Sequence, residues 1–112
     1  MDEPVATRLE YMQGEPVVLR VAQHRFPYIY DDGGAVERTG RPPGWRAVAE
    51  RLARELDVNI SRSGVVSLPV VPAGPGFDAV VERVADASLT LYQAILDLEA
   101  DLDRPRKYAQ KG

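Results

Sequence analysis

Apolar residues recur at helical spacing between positions 45 and 56. The apolar positions are Trp45, Val48, Ala49, Leu52, Ala53 and Leu56. They stand at i, i+3, i+4, i+7, i+8 and i+11, a spacing that places the side chains along one side of an α-helix. Arg46, Glu50 and Arg54 occupy the opposite side at four-residue intervals, where side chains of opposite charge support a helix. The pattern predicts a helix over residues 45–56.

A second, longer helix is predicted from Phe77 to about Leu102. Its apolar positions lie near heptad spacing, and Ser88 is the one polar interruption. These positions are Phe77, Val81, Val84, Leu91, Ile95, Leu98 and Leu102. At about 1.5 Å per residue such a helix is nearly 40 Å long, whereas a domain of this size has a diameter of roughly 26 Å. The helix is therefore expected either to bend at residues 88–90 or to project one end, which then needs a partner.

Strand patterns lie before and between the two predicted helices. Residues 16–21 form the first candidate strand, and Phe26, Tyr28 and Tyr30 alternate with a period of two, which places them on one strand face. Residues 31–34 tolerate the positive φ of a tight hairpin turn, and residues 35–39 are expected to return as the partner strand. Residues 58–61 and 65–71 are further candidates, in which Pro69 indicates an edge position or a bulge.

Together these elements predict an α+β fold. The expected architecture is a small, mostly antiparallel sheet in the order β-β-β-α-β-α, with both helices packed on one face. The 112 residues, 45% of them apolar, correspond to one domain. Within it, residues 1–15 are an N-terminal arm and residues 104–112 a basic C-terminal tail.

The composition limits the chemistry. The chain has no cysteine and a single histidine, His24, which excludes disulfides, thiol nucleophiles and any site with two imidazoles within one chain. Residues 74–79 match G-x-G-x-x-A, but only one helix follows them and Asp78 stands where a pyrophosphate would bind. A plain loop-to-helix junction is favoured, and the sequence predicts no cofactor and no metal site.

The chain carries no targeting pattern. Its N-terminus is acidic where a secretory signal would be basic, and its longest apolar stretch, residues 65–71, is far shorter than the roughly 20 residues of a membrane helix. A protein without membrane contact is expected, either cytoplasmic or part of a particle assembled in the cytoplasm.

Charge is distributed unevenly, although the net charge is only −3. Residues 38–62 contain six arginines and three acids, an excess of three positive charges. Residues 78–103 contain seven acids and one arginine, an excess of six negative charges. Such a charge dipole favours head-to-tail contact between copies. Twelve of the fourteen basic residues are arginine, a bias typical of GC-rich bacterial or phage genomes.

These features predict a non-catalytic protein–protein interaction or assembly module. The expected partners are other copies of the chain, other protein subunits, or both, as in a bacterial or phage structural assembly. The long helix would supply the apolar anchors and the first helix the charged contacts, to acids near the end of the long helix. The predicted interface residues are Leu91, Ile95, Leu98 and Leu102, with Arg46, Arg51 and Arg54.

Two alternative functions would use other residues. His24, Tyr28, Tyr30 and Asp31 could form a small pocket for a ligand or a reaction, with an imidazole base and a carboxylate that orients it. The second alternative is a nucleic-acid-binding regulator that uses the arginines of residues 38–62.

A nucleic-acid-binding role could also involve Phe26, Tyr28 and Tyr30, which with nearby arginines resemble the ingredients of a base-stacking platform. An aromatic stripe opposite two amphipathic helices normally faces the core, however. The sequence therefore does not favour nucleic acid as a partner.

Overall fold

The structure, a computed structural model, describes residues 3–5, 7–23, 25–72 and 74–103. Its largest feature is a five-stranded antiparallel sheet in the order β1-β4-β5-β7-β6, and a separate pair, β2-β3, forms a second small sheet. The strands are β1 (Glu3–Val5), β2 (Glu10–Met12), β3 (Glu15–Pro16), β4 (Leu19–Ala22), β5 (Tyr28–Asp31), β6 (Asn59–Ile60) and β7 (Val66–Pro69). The predicted α+β class is confirmed.

The described residues also form three helices: α1 (Gly34–Thr39), α2 (Trp45–Leu56) and α3 (Phe77–Asp103). The long helix α3 packs across β5 and β7, while α1 and α2 pack beside it. The periodicity of residues 45–56 and 77–102 thus predicts two of the three helices. No helix in the described ranges combines the length and the apolarity that crossing a bilayer requires.

Strand alternation divides the large sheet into two faces of different character. The register pairs Val21 with Ile29 and Leu19 with Asp31, and all four side chains are buried beneath the helices. We call this side the inner face. The intervening pairs, in which Arg20 lies opposite Tyr30 and Ala22 opposite Tyr28, point to the other side, the outer face. The core therefore lies between the inner face and the helices.

The predicted hairpin at residues 31–39 is wrong, because residues 34–39 form helix α1 instead of a strand. Glycines with left-handed backbone, Gly33 (φ 73°) and Gly40 (φ 72°), bracket the helix. The Asp32 carboxylate accepts a hydrogen bond from the Gly34 amide at its first residue, at 2.9 Å. Strand β5 pairs with β4 and β7 instead.

Other elements differ from the prediction in detail. The first predicted strand is divided between β3 and β4. Pro69 lies in a strand that is not at the edge, but β6 ends opposite Ser67, so Pro69 is paired only on the β5 side. Helix α3 is continuous through residues 88–90, where a bend was one of the two expectations.

Candidate functional site

The outer face is the side of the sheet that the helices leave uncovered. Strand pairing places on it Pro4, Arg20, Ala22, Tyr28, Tyr30, Asn59, Ser67 and Pro69, of which Ala22 is buried. Arg20 lies on this face, and Arg25 lies beside it in the loop before β5. Strand alternation places no carboxylate of the described strands on the same face. The surface is therefore aromatic and positively charged.

Three aromatic side chains dominate the outer face. The rings of Tyr28 and Tyr30 contact each other, with centroids 5.5 Å apart. Phe26 lies in the loop that precedes β5 and is 74% exposed. The Arg25 guanidinium lies 5.6 Å from the centre of the Phe26 ring, close enough for a cation–π interaction. Beside the rings, a shallow groove of about 300 Å³ runs over Pro69 and Ser67.

The expectation that this aromatic stripe faces the core is wrong. Residues Ile29 and Asp31, which alternate with the tyrosines, are the buried ones. A single exposed apolar residue needs no explanation, but a contiguous exposed aromatic patch is typical of a binding surface. The outer face is the clearest such surface in the described part of the chain.

Asp31 lies on the inner face and is almost fully enclosed, with 1% of its surface exposed. Its Oδ1 accepts hydrogen bonds from the Gly33 and Val66 amides, both at 2.9 Å. Its Oδ2 accepts one from the Ser88 hydroxyl at 2.6 Å. The carboxylate therefore connects the turn before α1, strand β7 and helix α3.

Burial dominates the electrostatics of this polar centre. Loss of solvent raises the pKa of Asp31, and the Asp32 charge adds to the increase, while the hydrogen bonds from Ser88, Gly33 and Val66 oppose it. Burial likewise raises the pKa of Tyr11, with further increases from the Asp31 and Asp32 charges. The Tyr11 hydroxyl is buried close to this centre without a hydrogen-bond partner among the described residues.

The structure brings together only part of the predicted pocket. Tyr28 and Tyr30 contact each other on the outer face, whereas Asp31 points into the core on the inner face. His24 lies outside the described residues. The two tyrosines and Asp31 therefore do not line a common cavity.

The predicted anchors of helix α3 are placed unequally. Leu91 and Ile95 are fully buried in the core of their own chain, so the prediction that they are exposed anchors for a partner is wrong. Leu98 is half-buried, and the side chain of Leu102 lies outside the described part. The physical reason is that α3 crosses the sheet with its central turns inward, which uses its apolar stripe within the chain.

The arginines of residues 38–62 do not form one uncompensated stripe. Arg38 pairs with Glu15 at 2.8 Å, Arg41 with Glu37 at 3.4 Å, and Arg51 with Glu55 at 3.6 Å. Arg46 donates a hydrogen bond to the carbonyl of Arg62 at 3.4 Å, and Arg54 is exposed. Half of the six positive charges are thus balanced locally, which weakens the case for a phosphate-binding surface there.

Sequence reasoning singled out the aromatic residues but assigned them to the wrong side of the sheet. The signal that could have corrected this was Arg20, which alternates with the apolar residues of β4 and shares the face of Tyr30. No family model, curated protein or solved structure matches the chain. A proposal for its function therefore rests on the surfaces of the chain itself.

Proposed function

We propose that the chain is a non-catalytic protein–protein interaction and assembly module that uses the outer face of its sheet as a contact surface. It would act in the cytoplasm, or in a particle assembled there, of bacterial or phage origin. The observation that carries this proposal is the uncovered patch formed by Phe26, Tyr28 and Tyr30 beside Arg20 and Arg25.

The composition of the outer face supports a protein partner. Tyrosine, phenylalanine and arginine are enriched at protein interfaces, and tyrosine and arginine are common among the residues that dominate binding energy. Tyr28 and Tyr30 are mounted on a paired strand, so docking orders few additional degrees of freedom. A rigid aromatic surface of this kind favours recognition of a preformed protein surface.

The geometry offers less support for catalysis. Asp31 is a candidate acid or base because burial raises its pKa, but its two oxygens already accept three hydrogen bonds inside the core. A general base must come within hydrogen-bond distance of its substrate. The groove beside Tyr28 is shallow and lies on the other side of the sheet from this carboxylate.

Site-specific crosslinking tests the proposal. The photoreactive residue p-benzoylphenylalanine would replace Tyr28 in the full chain, and Arg54 on helix α2 in a control chain. In the producing cells, illumination is expected to yield a discrete protein adduct from position 28 and none from position 54. Introducing Arg20→Glu together with Arg25→Glu should abolish the adduct, whereas equal labelling from both positions would contradict a specific contact surface.

Single-stranded nucleic acid is the second candidate for the same face. The specific observation in its favour is that exposed aromatic rings lie beside Arg20 and Arg25, the combination by which stacking platforms hold bases and phosphates. Fluorescence anisotropy with short single-stranded oligonucleotides would test this. Binding that weakens steeply with salt and disappears in Tyr28→Ala would identify the partner of this face as a nucleic acid instead of a protein.

A further inference from the structure

A second candidate contact surface is a groove on the helical side of the molecule. It runs between the segment 7–9 and the first half of α3 and has a volume of about 560 Å³. Its floor is apolar and its helical wall is acidic, with Thr7 and Arg8 on the opposite wall. The lining side chains are Thr7, Arg8, Leu9, Asp78, Val81, Glu82, Ala85 and Asp86.

The groove carries three negative charges on its helical wall against one positive charge in its lining, that of Arg8. Asp78, Glu82 and Asp86 follow one another at four-residue intervals, an arrangement in which like charges destabilise a helix slightly. None of the three forms an ion pair within the described residues. Asp78 is explained by its place in the first turn of α3, but Glu82 and Asp86 are not.

The outer face has the complementary properties. Neither Arg20 nor Arg25 forms an ion pair within the described residues. Phe26, 74% exposed, projects an apolar ring beside them, and the groove has room for such a ring above Val81 and Ala85. The two surfaces belong to opposite layers of the molecule, the outer face to the sheet and the groove to the helices.

We infer that the outer face of one copy docks into the acidic groove of the next copy, with Phe26 on the apolar floor and Arg20 and Arg25 facing Glu82 and Asp86. This inference rests on the proposed function, because it names the partner of the same outer face. Docking like surfaces on each other would oppose arginine to arginine or carboxylate to carboxylate, so charge selects the heterologous contact. Repetition of such a contact gives a closed ring or an open filament.

Complementary charge reversal tests the inference on full-length chains. The mass of the wild-type assembly, measured by sedimentation at low salt, is expected to rise with concentration and to fall when salt is added. The face variant Arg20→Glu/Arg25→Glu and the groove variant Glu82→Lys/Asp86→Lys should each weaken self-association at least about tenfold. Mixed together, they should regain assembly with the two variants alternating, because both contacts between unlike chains then pair opposite charges, whereas each variant alone opposes like charges.

A matched control separates this contact from a general effect of charge. Arg46→Glu/Arg54→Glu reverses two exposed arginines on α2 that the sequence predicts as interface residues but that lie outside both of these surfaces. Docking of the outer face into the groove does not use them, so self-association should stay within about twofold of wild type. Circular dichroism would establish that every variant is folded. Failure of the mixed pair to associate, or loss of assembly in the α2 variant alone, would overturn the inference.

The outcomes also distinguish the inference from the proposed function. A wild-type chain that stays monomeric at every concentration and salt overturns docking between copies, while a specific adduct from position 28 to a different protein still supports the outer face as a contact surface. If instead copies associate through the acidic groove but position 28 gives no protein adduct, both the proposed surface and the inferred contact are wrong. An adduct that joins position 28 to residues 81–86 of another copy supports both.

Discussion

At the scale of single residues, Asp31 shows how a polar group can organise a small core. It accepts hydrogen bonds from the neighbouring Gly33 amide and from two groups that are distant in sequence, the Val66 amide and the Ser88 hydroxyl. The Ser88 hydroxyl has one proton and two acceptors within reach, Asp31 Oδ2 at 2.6 Å and the Val84 carbonyl at 2.9 Å. The hydrogen bonds to Asp31 favour its charged form and so oppose the increase that burial gives to its pKa.

The pKa of Asp31 leads to a prediction about stability. Because burial raises this pKa above its ordinary value of 3.8, the folded chain binds the proton more tightly than the unfolded chain does. The contribution of Asp31 to the free energy of unfolding is therefore fully present below pH 3.8 and decreases as the pH rises through the raised pKa. Asp31→Asn removes the titrating group. The free energy of unfolding of this variant minus that of wild type should therefore increase as the pH rises across that window, and then level off.

Urea unfolding of both chains over a pH series measures this difference. Because the variant retains the other carboxylates, the effect of their titration cancels in the difference between the two chains. A difference that is the same at every pH, or that decreases as the pH rises, would show that the pKa of Asp31 is not raised in the folded chain.

The sequence identified Asp31 as a turn residue and as a candidate pocket residue, and Ser88 as an interruption of an apolar stripe. None of these descriptions shows that the two side chains meet. They are 57 residues apart, and a single sequence provides no measure of contact at that separation. A buried hydrogen-bonded pair of this kind becomes visible only once the helix has been placed on the sheet.

At the scale of elements, glycines with left-handed backbone lie in the connections, Gly64 between strands β6 and β7 and Gly40 between helices α1 and α2. Gly64, with φ +91°, lies against Val36 of α1, and a Cβ added to it would stand 2.9 Å from the Val36 Cβ. Gly40, with φ +72°, has no atom within 4 Å of the same position. The first site therefore combines an unfavourable backbone conformation with a collision, while the second has the backbone cost alone.

Alanine substitution should separate these two costs. Gly40→Ala is expected to lower the free energy of unfolding by about 1 kcal/mol, the cost of a left-handed backbone in an L-residue. Gly64→Ala should lower it by at least about 2 kcal/mol more, because Val36 is fully buried and has little room to move. Chemical denaturation measures both values, and equal losses would show that α1 can shift away from Gly64.

Helix α3 provides a second prediction at this scale, since two of its leucines differ sharply in exposure. Leu91 is 0% and Leu96 is 39% exposed. Leu91→Ala should lower the free energy of unfolding by about 2–5 kcal/mol, whereas Leu96→Ala should lower it by less than about 1 kcal/mol. If the Leu91 variant instead retained full stability and lost only self-association, the residue would be an anchor for a partner after all.

Periodicity predicted the long elements and failed for the short one. Residues 45–56 and 77–102 contain enough turns for an apolar stripe to be recognised, but α1 has six residues, fewer than two turns. Over so short a stretch, Ala35, Val36 and Thr39 fit a strand as well as a helix. The aspartates and glycines of residues 31–34 fit a hairpin turn and a helix start equally well, so local turn chemistry could not decide.

At the scale of the whole molecule, the question that the sequence left open was which side of the sheet the helices cover. Alternation along β5 gives one set with Tyr28 and Tyr30 and another with Ile29 and Asp31. An aromatic stripe opposite two amphipathic helices normally faces the core, so the sequence favours burial of the first set, whereas the structure buries the second. Only Asp31's distant partners make its burial tolerable, because a buried charge without hydrogen bonds is expensive.

The same layered arrangement leaves the end of α3 weakly supported, which leads to a last prediction. The turns from Val84 to Ile95 carry its fully buried residues, while the end of the helix is largely exposed, contains acids, and has no basic residue in its last turn. Negative charge near a helix C-terminus opposes the helix dipole. Amide hydrogen exchange should therefore be slow from Val84 to Ile95 and faster over residues 97–103.

A lysine in the last turn should slow that exchange, because its charge favours the dipole. Ala100 is exposed, and Ala100→Lys is expected to stabilise the terminal turns by about 0.3–1 kcal/mol, which corresponds to exchange about two- to fivefold slower. Gln93→Lys introduces the same charge at an exposed position in the middle of α3, too far from the terminus for the dipole to act. Equal slowing in both variants would assign the effect to net charge, and no slowing in either would mean that the end of α3 is held by contacts other than its own dipole and charges.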